Sequence, residues 1–323
     1  MTALAELQKR LDEGGVLLLD GPNGTELERR GATMDTVSWC GQASVENYEL
    51  LRGIHADYLD IGCDVITTNT YAGSRLMLEA AGLADRVAEV TESAVRAARE
   101  AASALDRPAI IAGSLSHVIP FEAGTSRTAE DHAPDTEHVR RALTEMAGLL
   151  RGSGCDIILV EMMYHPERAR LAMEAALKSG LPVWVTFAAR EGADGELLSY
   201  FQEEAIVLER LLDDLPIGAV HAAGINHTRA DLMGRALRAV RERFDGPLIA
   251  YPDSGHFEMP NWNFRDVMSV EDFRRYVQEW VRDGVQIVGG CCGLSPEHIE
   301  AIADLRSDGS APTKRGAMND SRA

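Results

Sequence analysis

Two adjacent cysteines, Cys291 and Cys292, stand between glycines in the run Gly289-Gly290-Cys291-Cys292-Gly293. Vicinal thiols at a strand tip can offer two sulfurs to one soft metal ion, and thiolate ligands favour zinc among the common divalent ions. The flanking glycines allow a sharp backbone turn there. The same pair could equally be two small buried apolar residues, the ordinary fate of free cysteine. The choice depends on whether the rest of the chain brings polar groups to the same place.

The elements that would do so alternate along the sequence. Short apolar runs at 16–20, 65–70, 109–114, 156–161, 182–187, 219–226, 247–251 and 286–289 read as strands. Helical patterns at 44–61, 86–105, 137–150, 168–178, 204–212, 229–241, 270–282 and after Pro296 follow them in turn. Eight such units predict an α/β protein, a (β/α)8 TIM barrel folded as one domain over residues 1–305. An open doubly wound sheet is the alternative. The segment Gly21-Pro22-Asn23-Gly24 after the first strand lacks the spacing of a dinucleotide fingerprint. Two long loops, 117–136 and 252–269, read as lids or excursions. Residues 306–323 are polar and expected to form a disordered tail.

The chain has 323 residues, of which 51 are acidic and 32 basic, for a formal charge of -19. That balance argues against nucleic acid or an anionic membrane surface as partner, and is compatible with a cationic or zwitterionic small molecule. Five cysteines, thinly spread and odd in number, are not a disulfide framework. With no basic–apolar leader and no apolar run of membrane-spanning length, a reducing cytoplasm is the expectation. Oligomeric state is left open, and a homo-oligomer is compatible.

In a barrel of this kind, chemistry gathers at the C-terminal ends of the strands. Those ends collect Asp20, Thr68 with Asn69, Ser114 with Ser116, Glu161, Phe187, Asn226 with His227, Tyr251, and the cysteine pair. Any one polar residue there could simply cap the next helix. Together with two thiols they favour a shared site.

Several segments carry a resemblance: Leu18-Leu19-Asp20-Gly21-Pro22-Asn23-Gly24-Thr25-Glu26-Leu27, Asp64-Val65-Ile66-Thr67-Thr68-Asn69-Thr70-Tyr71, Ala112-Gly113-Ser114, Leu159-Val160-Glu161, and the double-cysteine motif with Pro296-Glu297-His298-Ile299. In order, from about residue 15 to 305, the chain resembles the homocysteine S-methyltransferase family. The resemblance implies a barrel holding zinc through three cysteines, with the homocysteine sulfur as fourth ligand and methionine as product. Cys291 and Cys292 match two of the three. Asp20 and Gly21 match the segment that contacts the amino acid, and Glu161 the carboxylate that holds its ammonium group. Thr68, Asn69, Ser114, Asn226 and Trp262 are further substrate-binding candidates.

The third zinc cysteine is absent. The chain reads Gly224-Ile225-Asn226-His227, with histidine in its place. Histidine is a competent zinc ligand, and two cysteines plus one histidine with an open position form a catalytic arrangement. His117, His221 and His256 are rival or supporting ligands. The implied reaction is displacement of a methyl group from an onium donor (S-methylmethionine, S-adenosylmethionine or betaine) by a metal-held thiolate. Trp39, Tyr71, Phe257 and Trp262 are candidates for contact with the cationic donor. The competing reading is a non-catalytic relative that binds a thiol, amino acid or metal. Metal-assisted hydrolysis is disfavoured, since no His-x-His pair ends the first strand.

Overall fold

In the computed structural model, which describes residues 2–309, eight parallel strands form one sheet. They are Leu17–Leu18, Val65–Thr67, Ile110–Leu115, Ile157–Met163, Val183–Phe187, Ala222–Arg229, Leu248–Asp253 and Val285–Val288, here the first to eighth barrel strands. The first pairs with the eighth, and a parallel bridge between Leu19 and Val65 joins it to the second. The sheet is thereby closed into a (β/α)8 barrel, as expected.

Burial on both faces explains the continuous apolar strands. One set of side chains, including Leu17, Leu19, Val65, Ile110, Ile157, Trp184, Ile249 and Ile287, fills the barrel interior. The alternate set, such as Leu18, Ile66, Ile111, Ile158, Val185 and Val288, packs under the surrounding helices.

Several elements differ from the sequence expectation. An N-terminal helix, Ala3–Asp12, plugs the bottom of the barrel with Leu7 and Leu11. Thr2 caps it by accepting a hydrogen bond from the Ala5 N–H. The helix expected at 44–61 is two, Ala43–Glu46 and Tyr48–Ile61, broken at Asn47 where φ is -121°. The fifth strand leads into a hairpin, Ala189–Glu191 with Leu197–Ser199, in a stretch to which the sequence pattern assigns no element. The following helix is shorter than expected, Leu208–Asp213. The sixth strand begins later and runs three residues further than expected, so His227 lies within it rather than beyond it. The long loop at 252–269 contains a second hairpin, His256–Glu258 with Asn261–Asn263.

Residues 306–309, read from sequence as the start of a tail, lie against the barrel bottom. Ser307 bridges Val16, and the Arg306 guanidinium donates to Asp64 at 2.9 Å. The rest of that expected tail lies outside the described residues.

Candidate active site at the barrel mouth

The cysteine pair is held from both sides. The Cys291 N–H donates to the Pro252 carbonyl at 2.7 Å, and the Ser254 N–H to the Cys292 carbonyl at 3.0 Å. The Gly290 N–H reaches the Asp20 carbonyl at 3.1 Å. Gly293 has φ +80°, and a Cβ there would lie 1.7 Å from the Ser254 carbonyl oxygen, so only glycine fits.

His227 arrives from the sixth strand through a bulge. Register shifts between Asn226 and Arg229, and His227 has φ +43°. A matching bulge in the fourth strand gives Met162 φ +57°. The Met162 N–H donates to the Asn226 side-chain oxygen at 3.0 Å, tying the two bulges together. Bulges at barrel rims re-aim side chains in this way. The result brings His227 Nδ1 to 3.9 Å from Cys291 Sγ, which is 3.9 Å from Cys292 Sγ. All three ligand atoms lie within 4.8 Å of one another.

Two carboxyls sit below and beside this cluster. Asp20 is fully buried and accepts from the Thr67 N–H at 2.7 Å and the Tyr251 hydroxyl at 3.2 Å. Desolvation pushes its carboxyl up to about 8, against those hydrogen bonds. Glu161 is pushed up to about 7, again by desolvation, while the Ser114 hydroxyl donates to it and His227 opposes the shift. Neither carboxyl has a lysine or arginine partner among the described residues. A carboxylate left in such a setting is suited to an incoming cation.

The cavity above encloses about 790 Å³ of empty space, counting the solvent in its open mouth. Glu161, Asn226, His227, Trp262, Thr68, Asn69, Cys291 and Cys292 line it. So do Trp39, Tyr71 and Phe257. No lysine or arginine among the described residues lines it. Asp20, Gly21 and Ser114 lie beneath its wall. Gly21 packs where a Cβ would strike the Tyr58 ring, at 2.4 Å from the hydroxyl. Asn69 is mostly engaged in structure, donating to the Cys40 carbonyl and the Ser44 hydroxyl.

The rival histidines are placed elsewhere. His117 Nε2 accepts from the Tyr164 N–H at 3.2 Å, His221 Nδ1 from the Val183 N–H at 3.2 Å, and His256 is exposed on the second hairpin. Sequence reasoning missed Phe121 and Tyr200, which complete the aromatic wall. The Tyr200 ring stands 5.2 Å from that of His227, and the Trp262 ring 5.9 Å. Asp194-Gly195, a hairpin-turn dipeptide, was the signal that could have placed Tyr200.

Fold and mouth together define an enzyme barrel whose strand tips converge on two thiols, an imidazole and two uncompensated carboxyls. The family model for homocysteine S-methyltransferase matches residues 17–306. A homocysteine S-methyltransferase of Zea mays is 28% identical over 312 residues, covering 90% of each chain. The Bacillus subtilis homocysteine S-methyltransferase YbgG is 27% identical over 321 residues, covering 92% of this chain and 96% of its own. A selenocysteine methyltransferase of Astragalus bisulcatus is 26% identical over 327 residues, covering 93% and 95%. The metallated crystal form of the Escherichia coli homocysteine methyltransferase MmuM shares the fold, with a TM-score of 0.73 at 24% identity over 93% of this chain and 99% of that one. The chain belongs to the homocysteine S-methyltransferase family and is a methyltransferase. No helix among the described residues is long and apolar enough to cross a membrane.

Proposed function

We propose that this protein is a zinc-dependent methyltransferase that moves a methyl group from a small onium donor to the thiol of homocysteine, giving methionine. The observation that carries the reading is the spacing of His227, Cys291 and Cys292. A tetrahedral zinc with Zn–S of about 2.3 Å and Zn–N of about 2.05 Å sets two sulfurs roughly 3.8 Å apart and sulfur and nitrogen roughly 3.6 Å apart. Two of the corresponding separations here are 3.9 and 3.9 Å, and the third, between His227 and Cys292, is within 4.8 Å. The donor set fits a three-ligand catalytic zinc site, and those three residues would hold the ion. When bound, zinc supplies Lewis acidity that keeps an acceptor thiol ionised near neutral pH.

The chain's own residues account for the rest. Glu161, steadied by Ser114 and by Asn226 at 3.5 Å, offers its carboxylate to the acceptor's ammonium group. Asp20, which keeps its proton near neutral pH, braces the floor below it through Thr67 and Tyr251. The rings of Trp39, Tyr71, Phe257 and Trp262 present faces to a sulfonium or quaternary ammonium methyl donor and exclude water from the line of transfer. Holding both reactants in one small cavity converts their encounter into an oriented, effectively unimolecular step. A cytoplasmic setting, where thiols stay reduced, suits five free cysteines.

The test is metal analysis of the purified protein, followed by mass spectrometry of thiol acceptors incubated with S-methylmethionine, S-adenosylmethionine or betaine. One zinc per chain and methylated homocysteine with one of these donors is the expected result. Metal-free protein that methylates no thiol with any donor would overturn the reading and favour a binding role for the same pocket.

A further inference from the structure

His227 has two ring nitrogens, and the structure gives each a different neighbour. Nδ1 faces Cys291 Sγ at 3.9 Å, and Nε2 faces Asp253 Oδ2 at 3.7 Å. The ring is fixed between Tyr200 and Trp262, which pack against it edge to face. Asp253 ends the seventh strand and is brought opposite the sixth by the register beyond the bulge, where Arg229 pairs with Asp253. Its other oxygen, Oδ1, is buried with no hydrogen-bond partner. The neighbouring Arg229 guanidinium is turned to Asp231, at 2.6 Å. Arg229 thus acts on Asp253 through its charge alone, and the N–H group that the carboxylate faces is that of His227.

Resting on the zinc reading above, we infer that Asp253 is a positioning residue that accepts the Nε2–H of His227 and so presents Nδ1 to the metal beside Cys291 and Cys292. A neutral imidazole carries one N–H and one lone pair. If a carboxylate holds the proton on Nε2, the lone pair is left on Nδ1, the nitrogen nearer the backbone and so closest in reach to a cysteine sulfur. The separation of 3.7 Å is an ion-pair distance, roughly half an ångström outside hydrogen-bond range, and loading the site is expected to close it. The arrangement also returns negative charge to the metal's surroundings. Two thiolates and a neutral imidazole only balance a dication, whereas three thiolates would leave one charge in excess.

The experiment measures zinc affinity by chelator competition in wild type and in Asp253→Asn and Asp253→Ala, each with His227 present and with His227→Cys. Asp253→Ala is expected to weaken zinc binding about 10- to 100-fold, as loss of such an outer partner does elsewhere. Asp253→Asn, which keeps an acceptor but not the charge, should fall between wild type and Asp253→Ala. In the His227→Cys background neither change should exceed about twofold, because the group that Asp253 orients is gone. Nitrogen-15 NMR of the zinc-loaded protein should report Nδ1 of His227 as metal-bound and Nε2 as protonated. Equal losses in both backgrounds, no loss with His227 present, or metal on Nε2 would overturn the inference while leaving the zinc site standing. Wild-type protein that takes up no zinc would overturn both. Matching unfolding transitions of the zinc-free variants guard against reading a folding defect as a metal effect.

Discussion

Two buried aspartates flank the first barrel strand and meet opposite fates. At the bottom, Asp64 accepts from Arg10 at 2.6 Å, from Arg306 at 2.9 Å and from the Leu18 N–H at 3.0 Å. At the mouth, Asp20 has hydrogen bonds but no lysine or arginine partner among the described residues, and its carboxyl is held up to about 8. The bottom also gains the plug of Leu7 and Leu11, each worth about 1.5–3 kcal/mol of burial. The mouth carries two left-handed bulge residues, His227 and Met162, and two carboxyls with no lysine or arginine partner among the described residues. The buried carboxylate at the bottom is matched to arginines, whereas neither at the mouth has such a partner among the described residues.

The sharpest way to break that contrast is at the cysteine pair. Cys291→Ala should remove bound zinc and reduce thiol methylation to background, with little change in the unfolding of the metal-free protein; metal content and turnover measure it. Retained zinc with full turnover would show that the cluster is not the centre of the site.

Asp64→Ala is the corresponding cut at the bottom. It leaves the Arg10 guanidinium, 9% exposed, without its buried carboxylate and with only the exposed Asp308 at 3.2 Å, and breaking such a buried pair costs about 3–5 kcal/mol. Urea unfolding should register that loss, while kcat per folded molecule stays near wild type. Asp20→Asn should behave in the opposite sense. The native Asp20 keeps its proton up to about pH 8, whereas the unfolded chain releases it near 3.8. Between those values the native state binds the extra proton, so raising the pH favours unfolding. The ligand-free variant should therefore gain stability relative to wild type as pH climbs from about 4 to 8, and an equal offset at every pH would refute the assignment.

Glu161→Gln keeps the shape of the mouth and removes its charge. Charged hydrogen bonds contribute about 1.5–3 kcal/mol, so the KM for homocysteine should rise roughly 10- to 100-fold. An acceptor lacking the amino group should lose little further on the same substitution. If both acceptors suffer alike, Glu161 holds the protein together rather than the substrate.

How much of this was legible in the sequence follows from which interactions are local. The barrel strands showed themselves because burial on both faces makes each a continuous apolar run, as in residues 157–160. The N-terminal helix did not, since its core-facing side is short, with Leu7 and Leu11 buried and Ala3 and Leu4 half-buried, and it precedes the first strand instead of following one. Cys291, Cys292 and His227 could be singled out because their chemistry is rare. Asp253 could not, although it stands in the same strand as Tyr251. Its meeting with His227 depends on a register shift between neighbouring strands, which no run of residues announces. Tyr200 and Phe121 were hidden for a similar reason, being carried to the mouth by connections rather than by strand tips.

Those connections set the smallest of the expected effects. The wall from Trp39 through Phe257 to Trp262 has ring centroids 5.5 and 6.2 Å apart, and Trp262 is pinned by its indole N–H to the Ser254 carbonyl and by its backbone N–H to Glu28. An exposed cation–π contact is worth about 0.5–1 kcal/mol and a desolvated one about 2. Trp262→Leu should thus raise the donor KM roughly 2- to 30-fold and leave the homocysteine KM nearly unchanged. Because Trp262 also packs on His227, zinc affinity must be measured alongside. A change in zinc affinity with no change in donor KM would move Trp262 from the donor wall to the support of the histidine, and shift the boundary between scaffold and site by one residue.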